Sequence, residues 1–179
     1  MLNSLIRPAA GIPARKTGSM QGFVLRFAVG AFALILLFEV VRGAALEQQV
    51  FSAVVLKPAA LVATAFDPAM PTVVADRRLV SSAVTLNVTR GCEGTESLSL
   101  FAAAVLAFPA RWRQRLSALA IGTLLIYILS VIRLAALIWV LSEHRDVFDA
   151  IHGIVAPLAP LVVVSFYFAA WSARAQCEQ

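Results

Sequence analysis

A chain of 179 residues that is 60% hydrophobic and 14% charged carries more apolar surface than one water-soluble domain of that size buries. Its net charge of +5 does not point to nucleic acid, because the basic residues stand in short clusters beside apolar runs. Two cysteines, Cys92 and Cys177, are too few for a disulfide scaffold and are not spaced as a metal knuckle.

With roughly 20 residues needed per crossing, a chain this long holds three to five spans in one compact bundle. The composition predicts an all-α integral membrane protein with about four transmembrane helices, a bilayer as its solvent, and a membrane domain over residues 22–172 between cytoplasmic tails at 1–21 and 173–179. The first span is Gly22–Val41, retained because it is long for a signal peptide and lacks a clear small-x-small cleavage site.

The next apolar stretch, Gln48–Phe66, tempts a further span, but Lys57-Pro58 breaks its centre. Counting it would also turn every later segment over, so an interfacial or re-entrant amphipathic helix on the outer face is the expectation. Between Pro71 and Arg90 β-branched residues alternate with polar ones on either side of Asp76-Arg77-Arg78, which predicts a short β-hairpin running into Gly91-Cys92.

A second span, Leu98–Phe108, becomes long enough only if it starts near Cys92, with Thr95 and Ser97 accepting from free amides and Glu93 and Glu96 at the positive helix end. Pro109 ends it, and Arg111, Arg113 and Arg115 form a tight basic turn. Spans follow at Leu116–Leu141 and Ile151–Trp171, joined by a loop over Ser142–Asp149. Arg7, Arg15 and Lys16, the three turn arginines and Arg174 all fall on one side, assigned to the cytoplasm of a bacterial cell, whereas nine of the ten acids fall elsewhere.

In two antiparallel helices, residues equally far from the turn lie at equal depth. Cys92 and Arg133 are symmetric about the arginine turn, and Arg133 and His152 about the start of the following loop. The climb from Leu116 to Arg133 covers roughly 25 Å at about 1.5 Å per residue, nearly the hydrocarbon thickness. A thiol, a guanidinium and an imidazole are thus expected in one layer at the outer, periplasmic surface.

A guanidinium in an apolar helix faces a polar cavity or a partner, or else snorkels to the interface as Arg26 would. Cys92 is either a small packing residue or, at a helix N-terminus beside a cation, a thiol with a lowered pKa. His152 is preferred over His144, which stands in a charged loop cluster with Glu143, Arg145 and Asp146. In the catalytic arrangement Cys92 attacks a peptide carbonyl, Arg133 stabilises the oxyanion and His152 passes a proton to the leaving amine. The thioester left behind is resolved by water or an amine.

Val84-Thr85-Leu86-Asn87-Val88 leading into Cys92-Glu93-Gly94, Phe108-Pro109 before a basic turn, Arg133 in a long helix and His152-Gly153 opening the last helix together resemble the exosortase/archaeosortase family, in its compact single-domain branch. The resemblance covers roughly residues 22 to 172, and Ser130 stands where many members carry asparagine. It implies a membrane cysteine protease or transpeptidase with Cys92, Arg133 and His152 as its catalytic residues. The implied substrate is an exported protein ending in a PEP-CTERM-like motif, a membrane helix and a basic tail.

No cofactor is implied, and Cys92, His144, His152 and the nearby acids lack zinc-ligand spacing. The competing reading is a non-catalytic multi-pass assembly or transport subunit in which Arg133 and His152 line a polar pathway.

Overall fold

The computed structural model describes residues 18–41, 44–88 and 94–177. It is 81% helical, with a small three-stranded sheet. Among the described residues, four helical stretches are long and apolar enough to cross a membrane: Met20–Val41, Glu47–Phe66, Trp112–Glu143 and Arg145–Cys177. The number agrees with expectation, but the set does not.

Helix α1 (Gly18–Val41) is built from Phe, Val, Leu and Ala and is mostly exposed along its length. It lies along α4 (Thr95–Ala107), where small residues permit close approach: a Cβ on Gly30 would sit 3.6 Å from that of Ala103. Phe23 meets Phe108 edge-on at 6.4 Å, which sets the start of α1 beside the end of α4. Arg26 reaches back one turn and donates from Nε to the Gly22 carbonyl at 2.9 Å.

The stretch from Ala45 to Phe66 is not broken by Pro58. Helix α2 (Ala45–Phe51) continues through a π-helical turn (Ser52–Leu56) into α3 (Lys57–Phe66). The reason lies in the hydrogen bonds. Proline lacks the N–H that an α-helix would aim at the carbonyl four residues earlier, and the backbone widens by one residue instead. Accordingly the Lys57 N–H serves Ser52, five residues back. The buried face of α3, Ala59, Ala60 and Ala63, shares one core with Val131, Leu134, Leu137 and Ile138 of α5 (Trp112–Glu143).

The same core receives a three-stranded antiparallel meander, β1 (Val73–Ala75), β2 (Arg78–Val80) and β3 (Thr85–Asn87). The expected hairpin is its first two strands, paired Val73 to Val80, with Asp76 in the left-handed turn position at φ 53°. Its predicted second strand instead divides. Ser81 donates its N–H to Val84 at 2.9 Å and makes a second turn, so Thr85–Asn87 folds back on β2. Leu79 and Leu86 face the core while Arg78, Thr85 and Asn87 face out, following the strand pleat.

Helix α4 starts at Thr95, behind Gly94, with no side-chain cap, and Ser99 spends its hydroxyl on the Thr95 carbonyl at 2.8 Å. Among the described residues, the expected capping by Thr95 and Ser97 is not made. At 13 residues α4 is about 20 Å long, short of a full crossing. Pro109 does terminate it. Arg111 then flanks α5, its N–H bonded to Gln114 Oε1 at 3.1 Å, so Arg113 and Arg115 belong to the first turn of a helix rather than to a tight loop.

Helix α5 has 32 residues, roughly 48 Å, and works in two halves. Its lower half meets α4 and the last helix through Phe101, Val105, Ala118, Ile126 and Val164. Its upper half meets α3 and the sheet. The predicted loop at Ser142–Asp149 shrinks to a break at His144, after which α6 (Arg145–Ala150), a π-helical turn (Ile151–Val155) and α7 (Ala156–Cys177) run on without interruption. Here too a π turn precedes proline: the Ala156 N–H serves Ile151, five back, just before Pro157. Helix α7 continues through 173–177, which the sequence assigned to a tail.

Candidate functional site

The packing sorts the chain into two ends. At one, Phe108 touches Phe168 and Trp171 at ring distances of 6.0 and 5.4 Å, so the α4–α5 arginines and Arg174 share an end with the start of α1. At the other lie Gly94, Ser130, Arg133 and Ala156.

Arg133 is 9% exposed, and its Nη1 donates to the Ala156 carbonyl on α7 at 3.0 Å. The availability of that carbonyl follows from the sequence of α7. In a regular α-helix it would accept the N–H of residue 160, and residue 160 is proline. The guanidinium supplies the donor that the helix lacks. A buried carbonyl without a partner costs about 1–3 kcal/mol, so this bond removes a penalty as well as seating the charge.

His152 lies in the π turn one helical turn before Ala156, half-buried, with its ring stacked on Phe148 at 5.3 Å and 6°. Phe148 in turn packs against the upper core. His144, the alternative imidazole, is exposed at the α5–α6 break and meets Trp139 edge-on at 5.5 Å. Arg133 and His152 thus reach the same end of the α5–α7 pair, the guanidinium bonded one helical turn along α7 from the imidazole.

Cys92 and Glu93 lie outside the described residues. Gly94, two positions on, is described. It is buried, has φ 78°, and a Cβ there would fall 2.3 Å from Ser130 Oγ. Ser130 is itself buried, one turn before Arg133 on α5. Gly94 went unremarked in the sequence as a packing position; the only signal was its place just behind the cysteine at a helix start.

Beside Gly94 opens a largely apolar cavity of about 520 Å³ between α1, α2, α4 and α5, lined among others by Phe38, Val54, Leu98, Tyr127 and Ser130. Glu47 stands on its wall and pairs with Arg77 of the β1–β2 turn at 3.0 Å, while the Arg77 guanidinium also covers the Phe51 ring at 4.9 Å. These contacts hold the sheet against α2. Beyond Arg133, between α5 and α7, a smaller apolar space of about 210 Å³ is lined by Ile132, Arg133, Ala156, Pro160 and Val163. Among the described residues, no group of three or more His, Cys, Asp or Glu side chains gathers as a metal site.

Comparison of the chain with protein-family models, with curated proteins and with solved structures gives no match in any of the three.

Proposed function

We propose that this chain is a multi-pass membrane cysteine protease or transpeptidase, of the exosortase kind, acting on C-terminal sorting signals of exported proteins at the outer face of a bacterial inner membrane. The observation that carries the reading is the convergence on α5. Gly94, two residues from Cys92, packs on Ser130, and Arg133 one turn further is bonded to α7 one turn from His152. Gly94 and the imidazole-bearing helix thus both meet α5 within one turn of one buried guanidinium, which supports a Cys92 nucleophile beside it.

The chemistry uses three groups. The Cys92 thiolate adds to the scissile carbonyl, and Arg133 holds the oxyanion of the tetrahedral intermediate. His152 delivers a proton to the amine as the C–N bond breaks, leaving a thioester. Water or an amine acceptor then adds to the thioester, gives its proton to His152, and the thiolate leaves.

Orientation follows from charge. The arginines at the α4–α5 junction and Arg174 share one end, and that end faces the cytoplasm by the positive-inside rule, which sets Arg133 and Ala156 toward the exterior. On this reading α2–α3 lies with the sheet and the upper half of α5 as an outer cap, since its buried face joins their core.

The test is mass spectrometry of a candidate substrate's C-terminus in cells carrying the native chain or Cys92→Ala. Processing that depends on Cys92, with the variant inserted at native level, supports the enzyme. Processing that survives the substitution removes it and favours the assembly-subunit reading.

A further inference from the structure

We propose that Pro160 is a positioning residue for Arg133: by withholding the N–H that would close the α7 hydrogen bond to Ala156, it reserves that carbonyl for the guanidinium and orients it. The inference rests on the proposed site for its catalytic consequence, but not for its physical content.

Three observations carry it. Arg133, Ala156 and Pro160 are all buried, and the Nη1 to carbonyl distance is 3.0 Å. The space they share is otherwise lined by apolar side chains such as Ile132 and Val163, so among the described residues no other side chain lining it offers the carbonyl a donor. Finally, the two prolines of this helix are handled differently. Pro157 follows a π turn in which the backbone itself changes register. Pro160 falls inside regular α-helix, where the backbone makes no such adjustment and a side chain from α5 does.

The direction of the effect follows from the competition for one acceptor. With alanine at 160, a backbone N–H appears at the regular α-helical position, satisfies Ala156 without cost in side-chain entropy, and weakens the bond that orients Nη1. A guanidinium displaced by about 1 Å from a developing oxyanion loses on the order of 10²-fold in turnover.

The experiment is a double-mutant cycle on the full chain in lipid nanodiscs, comparing native protein, Arg133→Met, Pro160→Ala and the pair by thermal unfolding. Arg133→Met lowers the midpoint in the native background by stranding Ala156, and lowers it by less than half as much beside Pro160→Ala, where the new N–H takes over. An equal loss in both backgrounds overturns the proposal. In processing assays Pro160→Ala lowers kcat while KM holds. An α-hydroxy acid at position 160, which like proline brings no N–H, restores kcat; an α-hydroxy variant no better than alanine overturns the positioning role. Failure of the site reading shows separately, as processing that survives Cys92→Ala, and leaves the unfolding cycle to judge the tie.

Discussion

Gly94 and Ser130 are in contact so close that no side chain fits between them: a Cβ at Gly94 would lie 2.3 Å from Ser130 Oγ and 3.5 Å from its Cβ. The hydroxyl, not the serine backbone, is therefore what excludes a larger residue. Gly94→Ala is expected to destabilise the chain by about 2–4 kcal/mol, from overpacking together with a left-handed φ. Adding Ser130→Ala removes the close oxygen and should recover part of that loss, the remainder being the φ cost. Thermal unfolding of both single variants and the double variant measures it, and no recovery in the double variant would refute the contact.

Arg133 is expected to separate charge from shape. Lysine keeps the positive charge and can still donate to Ala156, yet lacks the planar, multi-donor fork. Arg133→Lys should insert and fold while losing roughly 10²–10³-fold in turnover, the usual effect of removing one oxyanion donor. Native-like processing by the lysine variant would show that only charge or packing matters at this position.

The two histidines offer a direct contrast. His152 lies one turn from the carbonyl that Arg133 holds, whereas His144 caps the end of α5 in solvent. His152→Gln should abolish processing, and His144→Gln should leave it within about twofold, since exposed substitutions outside special features are usually near neutral. Paired rate measurements on the two variants decide between them, and the reverse ranking would move the acid/base role to His144.

The Glu47–Arg77 pair tests how the sheet is held. Both side chains are part-exposed, at 21% and 26%, so Glu47→Gln should cost under about 1 kcal/mol and less again at high salt. Arg77→Ala should cost more, because it also removes the cation from the Phe51 ring. Equal losses from the two substitutions would leave the ring contact with no part in stability.

Much of this architecture was legible in the amino-acid order because it depends on local chemistry. Apolar runs set the long helices, Pro109 ends α4, Asp76 accepts a left-handed turn, and the charged clusters mark which helix ends belong together. Arg133 and His152 also reach one end of α5 and α7 in keeping with their equal distances from the intervening turn, since helical rise is the same for every residue.

Local rules failed where a neighbouring segment changed the outcome. Lys57-Pro58 reads as a break, yet the preceding turn widens and the helix carries on; the run after Val80 reads as one strand, yet Ser81 turns it back on β2. The site shows the same division. That Arg133 needs a partner is evident from an arginine in an apolar helix, but its partner is a backbone carbonyl on another helix, opened by a proline that removes one N–H. Periodicity determines which face a side chain occupies. Only the packing of α5 on α7 decides which unfilled acceptor that face meets.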